Sequence, residues 1–265
     1  MTQAVPRTNF NSSRLIRLLA DLSLVDAAES KLDFAERLSQ WLDLSDAITL
    51  HAVQNAGAAS SSAAPSCGES VAAAAVEAEF ARVRTALVKS ITASCSPNIG
   101  ETRMNLPTPQ AGATIDIAAA YQPEYQPAYQ PFRRFHLAQQ ASMEASIRPL
   151  RSSVRQALAR ASAPLRQLAA LDEALDNTLS VREHQLLATV PLLLERRFEQ
   201  RLKAHQPPLG DTRQADSPAA RPPPAEWLSD FCRELQGVLL AELDLRLQPT
   251  AGLIEALRNE ANKVK

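Results

Sequence analysis

The chain has 265 residues, 45% of them apolar and 22% charged, with a net charge of −1 at neutral pH. That is enough apolar material for a packed core, and the charge balance argues against a chain-wide nucleic-acid or membrane-surface function, which wants a basic excess. Only seven glycines are present, and neither GxGxxG nor GxxxxGK[ST] occurs, which excludes the phosphate and dinucleotide loops that depend on glycine's positive φ.

Leu and Ala are abundant while Ile, Tyr and Phe are sparse, a helical rather than a sheet composition. Residues 11–55 are expected to form a module of three short helices. Asn11, Ser12 or Ser13 can cap the first, whose apolar face is Leu15, Ile16, Leu18, Leu19 and Leu22. Phe34, Leu38, Trp41 and Leu42 recur at helical spacing in the second and predict a core position for Trp41. Ser45 can cap the third, with Ile48, Leu50 and Val53 on one face. Residues 55–70, "NAGAASSSAAPSCGES", have the composition of a flexible linker. One long helix is expected over 70–94, with the stripe Val76, Phe80, Val83, Leu87 and Ile91.

Residues 95–130 hold five prolines and no strong period, and predict a flexible loop. Within it "ATIDIAAA" has the pattern of a brief strand, and three Tyr-Gln-Pro units place Tyr121, Tyr125 and Tyr129 at a spacing of four. Such an array could serve as a polyproline-type ligand. The simpler account is a lead-in to a helix that starts at Pro131, with Tyr125 and Tyr129 folded back onto the bundle.

Residues 131–205 predict a central helical hairpin region. Phe132, Phe135, Met143, Ile147, Leu150, Val154 and Leu158 keep helical spacing, and Pro149 predicts a kink or break. A further helix is expected from Pro164, another from the capping-box pair Ser180 and Glu183, and a second kink at Pro191. Residues 206–223 are again proline-rich and predict a disordered linker. The C-terminal helices occupy 224–262, on the stripe Trp227, Leu228, Phe231, Leu235, Val238 and Leu239; Pro249 is expected to close the first, and a short helix to follow. Over 243–247 Leu alternates with charge as in a strand, but Leu239, Leu240, Leu243 and Leu247 also share a helical face, and no partner strand is evident.

No motif fixes a reaction. His51, His136, His184 and His205 lack a second ligand at metal spacing, and HExxH, CxxC and GxSxG are absent. The acidic groups Asp172/Glu173/Asp176 and Glu242/Asp244 have the pattern of solvated helix faces. No catalytic, cofactor or metal residue is therefore assigned. The strongest polar feature is basic. Between Phe132 and Leu171 stand seven arginines against one acid, Glu144, and Arg148, Arg151 and Arg155 share a helical face at i, i+3 and i+7. Arg133, Arg134, Arg148, Arg151 and Arg155 form the candidate partner- or anion-binding set. The competing account pairs this face with Asp172, Glu173 and Asp176.

The segments "RTNFNSSRLIRLLADL", "FAERLSQWLDLSDAITL", "EAEFARVRTAL", "FRRFHLAQQASMEASIRPLR", "LAALDEAL" with "REHQLLATVPLLLERRFEQ", and "LLAELDLRLQPTAGLIEAL" together resemble the proteobacterial domain-of-unknown-function family 3348 over almost the whole chain. That family offers no catalytic residues to carry over. The resemblance implies genes placed near those of envelope proteins of outer-membrane and proton-channel type, hence an accessory role beside an envelope-associated assembly.

The sequence thus predicts an all-α protein, an elongated helical bundle with kinked, coiled-coil-like long helices and disordered linkers. Arg14 and Arg17 interrupt the N-terminal apolar stretch, no window reaches 18 apolar residues, and Cys67, Cys95 and Cys232 are scattered. A cytoplasmic protein without signal peptide, membrane span or disulfide framework is expected. The expected function is a non-enzymatic scaffold or adaptor that binds a protein partner, or a further copy of itself, through helix faces. The alternatives are a nucleic-acid-associated protein using the arginine face of 133–166, which lacks any nucleic-acid-binding motif, and an enzyme with a site built from distant residues.

Overall fold

The computed structural model describes residues 13–25, 34–56, 69–94, 129–204 and 224–263. The fold is all-α. Among the described residues there are eight helices and no strand: α1 (Arg14–Asp21), α2 (Phe34–Trp41), α3 (Leu44–Ala56), α4 (Glu69–Ser94), α5 (Gln130–Ala161), α6 (Ala163–Leu187), α7 (Val190–Ala204) and α8 (Pro224–Lys263). The linker stretches 57–68, 95–128 and 205–223, with the strand-like "ATIDIAAA", Tyr121, Tyr125 and the expected flexibility, lie outside the described residues.

The core is built on α5 and α8. At 1.5 Å per residue, the 40 residues of α8 run for about 60 Å. The stripe predicted for α5 is buried at every position from Phe132 to Leu158, and Trp227, Leu228, Phe231, Leu235, Val238 and Leu239 are buried on α8. Helix α4 lies against both, burying Val76, Leu87 and Ile91, and α1 packs on α8 through Leu15 and Leu19. An alanine at Gly237 of α8 would place its Cβ 3.5 Å from Leu18 Cδ2, an ordinary contact, so this glycine is not required for the fit. Residues 239–247 are helical, as the Leu spacing over the strand-like alternation implies.

Helix α6 returns antiparallel to α5, starting at Ala163, one residue before the expected Pro164. Ser162 is the N-cap, its Oγ accepts from Leu165 N at 3.4 Å, and Pro164 occupies the first turn. Helix α3 runs antiparallel along α6: Thr178 Oγ1 donates to Asp46 at 3.4 Å near one end, and Gln167 Nε2 donates to Gln54 O at 2.7 Å near the other.

Several local expectations are corrected. Helix α3 is capped by Asp43, not Ser45: Asp46 N donates to Asp43 Oδ1 at 2.8 Å and Asp43 N to Asp46 Oδ2 at 3.1 Å, a reciprocal capping box. Ile48 does not share the packed face of Leu50 and Val53 but points outward. Trp41 is only half-buried, with the Arg182 guanidinium carbon 5.8 Å from its ring centre. Ser180 and Glu183 cap nothing. Helix α6 runs through them, and Ser180 Oγ donates back to Asn177 O at 3.5 Å.

The prolines divide into two kinds. Pro149 and Pro249 lie inside continuous helices, so neither breaks its helix, and Pro249 does not separate two C-terminal helices. Both are exposed, and the carbonyl four residues back that loses its partner can turn to water. Pro191 is buried, and there the chain does break, at Ala188–Thr189 between α6 and α7. Tyr129, the last of the Tyr-Gln-Pro tyrosines, is 4% exposed and packs among Phe132, Phe198 and Phe231, each with its ring centre within 6.3 Å. Its hydroxyl donates to Pro191 O at 2.6 Å. Pro131 stands one residue inside the start of α5, which Gln130 opens.

Candidate functional site

The arginine face comes first. Arg151 and Arg155 are turned toward α6 and close a four-membered ring of charge with two carboxylates. Arg151 grips Asp172 with two nitrogens, Nε–Oδ2 2.9 Å and Nη2–Oδ1 2.6 Å, and reaches Asp176 at 2.7 Å. Arg155 bonds the same two acids at 2.7 and 2.8 Å, and its Nη2 also donates to the backbone oxygen of Asp172 at 3.2 Å. Burial alone would lower the Arg155 pKa, but the hydrogen bonds and charges of Asp176 and Asp172 outweigh it and raise the value. The intramolecular account therefore holds for these two residues. Arg148 stands apart, exposed and paired with Glu144 of its own helix at 2.6 Å. Arg134 is exposed and Arg133 half-buried on the first turn of α5. The structure does not gather the five predicted residues into one surface.

The same device recurs. Arg197 and Arg201 of α7 both bond Glu234 of α8, at 2.8 and 2.5 Å, and Arg14 of α1 and Arg84 of α4 both reach Asp244, at 2.7 and 3.4 Å. Paired arginines on one carboxylate bind neighbouring helices to each other. Burial pushes the Glu234 carboxyl up, but its bonds to Arg197 and Arg201 more than reverse this and leave it lowered.

The solvated face expected for Glu242 is corrected: it is fully buried. Glu242 and His136 have no exposed side-chain surface, and they meet between α8 and α5, Nε2 to Oε2, at 3.2 Å. Gln140 Nε2 donates to both carboxylate oxygens of Glu242, at 2.9 and 3.1 Å. Arg246, one turn on, donates to Oε1 from Nε at 3.0 Å and from Nη2 at 2.8 Å, and lies 3.8 Å from Glu183 of α6. Burial raises the Glu242 pKa. The hydrogen bond and charge of His136, the charge of Arg246 and the hydrogen bond from Gln140 overcome that, and the carboxyl ends below its ordinary value. Three side chains saturate an ionised, water-excluded carboxylate. Such a group holds charge in place; it is a poor proton acceptor. Among the described residues, three buried polar atoms have no hydrogen-bond partner: His136 Nδ1, Gln139 Oε1 and Thr250 Oγ1.

Glu242 and Asp244, grouped in the sequence as one acidic pair, are separated by the helix. Two residues turn about 200°, so Glu242 faces the core while Asp244 meets α1 and α4 at the rim. A signal for Glu242 does exist. The apolar stripe of α8 steps through Leu235, Val238/Leu239, Leu243, Leu247, Leu253 and Leu257, and Glu242 and Thr250 stand at core register within it. His136 and Gln139 do the same between Phe132 and Met143 on α5. Polar residues at core register are the mark of a buried network.

The network reaches the α6–α7 break. Gln140 Nε2 also donates to Leu187 O at 3.2 Å. In an unbroken helix that carbonyl would accept from residue 191, which is proline and has no N–H. Gln140 supplies the missing donor.

The model of the family described as "Protein of unknown function (DUF3348)" matches residues 1–259. The chain belongs to this family. No curated protein and no solved structure matches it. Among the described residues, no group of three or more His, Cys, Asp or Glu could hold a metal, and no helix is long and apolar enough to cross a membrane.

Proposed function

We propose that this family member is a helical scaffold or adaptor that binds a protein partner through the outward face of α3. The supporting observation is that α3 is apolar on two sides. Asp46, Leu50 and Val53 turn toward α6, while Leu44 and Ile48, one turn apart on the other side, are 79% and 61% exposed. Single exposed leucines are ordinary. A stacked pair on a helix that is already seated by its opposite face resembles the i, i+4 anchor of helix-mediated recognition. Val181 of α6, 65% exposed, is a further outward apolar side chain, next in sequence to the Arg182 that covers Trp41.

The nucleic-acid alternative loses support from the geometry, since Arg151 and Arg155 direct their donors at Asp172 and Asp176. A photo-crosslinker at residue 51, exposed on the same side of α3, in the native host, with the double variant Leu44→Glu/Ile48→Glu as control, tests the reading. The expected result is one dominant protein adduct that the double variant loses while keeping its helical circular dichroism. An adduct of twice the chain mass would identify the partner as a second copy. Adducts that persist unchanged in the double variant would refute the α3 face.

A further inference from the structure

We infer that α7 is a strap, hinged at Ala188–Thr189 and latched from inside by Gln140, which covers a trough able to receive an amphipathic helix. The inference rests on α7 and its seat, independently of the α3 face.

The hinge is set by sequence. Helix α6 stops at Leu187 and α7 starts at Val190. Thr189 organises the corner: its hydroxyl donates to Leu186 O at 2.6 Å, and its carbonyl accepts from Leu192 N and Leu193 N, both at 3.1 Å. Beyond Ala204 the sequence runs into "QPPLGDTRQADSPAARPPP". Pro191 has no N–H to tie Leu187 O across the corner, so continuous helical hydrogen bonding does not carry α6 rigidly into α7.

The latch is the donor that Pro191 lacks. Gln140 is oriented by both oxygens of Glu242, which His136 and Arg246 hold in turn. The same amide then grips Leu187 O, the last carbonyl before the hinge. A second tie, from the Tyr129 hydroxyl to Pro191 O, lies just beyond it.

The seat is apolar and helix-shaped. Helix α7 lays Leu194 and Phe198, i and i+4, between α5 and α8. Phe198 meets Tyr129, Phe132, Trp227 and Phe231, with ring centres 5.2 to 5.7 Å apart. Arg197 and Arg201 fix the rim through Glu234. Lifting α7 would uncover an aromatic floor with the carboxylates of Glu234 and Asp230 beside it. The ligand that fits is therefore a helix with α7's own pattern, an apolar pair at i and i+4 flanked by arginines at i+3 and i+7.

Two measurements on the full chain test this. In the near-isosteric Gln140→Met variant, amide hydrogen exchange across 190–204 should become on the order of tenfold faster, with a smaller change across α5 and α8, because the bond to Leu187 O is lost together with the two to Glu242. A labelled peptide of residues 190–204 should bind this variant more tightly than the parent chain by a similar factor, since apparent affinity follows the open fraction. Glu234→Gln, which loosens the strap from the other side, should reproduce the faster exchange but not the tighter peptide binding, because the peptide's own arginines need the same carboxylate. Exchange that accelerates uniformly over all helices, exchange that does not change, or a peptide that fails to distinguish Gln140→Met from parent would each overturn the strap.

Discussion

Helix α5 carries two polar seams about four helical turns apart, and they are built in opposite ways. At Arg151 and Arg155 two cations and two acids balance at a half-buried edge, where Asp176 keeps 30% of its side-chain surface in solvent. At His136 a single carboxylate from α8 is sealed from water and serves donors from two helices. The first seam has redundancy: each arginine has two acids and each acid two arginines. The second has none, because Glu242 is the shared acceptor. A buried network with one hub concentrates its energy at that hub, whereas an edge network spreads it and lets water replace what is lost.

The largest expected effect follows from the hub. Glu242→Ala should lower unfolding free energy by roughly 3–5 kcal/mol, since buried Arg246 would be left with only the longer contact to half-exposed Glu183. Urea denaturation followed by circular dichroism measures it. A loss below that for the edge variant described next would mean that the hub is not special.

Asp172→Asn should lower unfolding free energy by about 1–3 kcal/mol, because Arg151 and Arg155 retain Asp176 and can reach solvent. The same denaturation series ranks the two seams directly.

Acid should sharpen the contrast. The Glu242 carboxyl is lowered from 4.5 in the folded chain. A depressed folded-state value means that its stabilisation is fully present above about 4.5 and is lost as pH falls through the lower folded-state value. Unfolding free energy measured from pH 6 downward should therefore fall less steeply in Glu242→Gln than in the parent chain. Some slope should survive, because Glu234 is lowered as well. Identical slopes would show that Glu242 is not held ionised.

The smallest effect belongs to the arginine that joins neither seam. Arg148 is 77% exposed at its side chain and pairs only with Glu144 of its own helix. Arg148→Ala should change stability by less than about 0.5 kcal/mol, which thermal denaturation would register as no shift.

Much of this architecture could be read from residue order alone. Helix α4, the buried stripe of α5, the Ser162–Pro164 turn and the apolar face of α8 rest on local rules of spacing, capping and proline geometry, and the structure follows them. What local rules left open was direction. The same residue type, proline, predicts a kink or break at 149, a kink at 191 and a helix end at 249. Only packing turns two of them toward water and the third into the core, where the orphaned carbonyl must find Gln140. Arginine spacing likewise placed Arg151 and Arg155 on one face without saying whether solvent or Asp172 lay opposite, and Glu242 stood two residues from Asp244 with nothing local to separate their fates. Which side of a helix is covered depends on contacts between residues a hundred positions apart, as His136 and Glu242 are. Those contacts exist only once α5 and α8 have docked. Periodicity and capping therefore determined the helices of this protein, and tertiary packing alone decided which of their polar side chains became surface and which became structure.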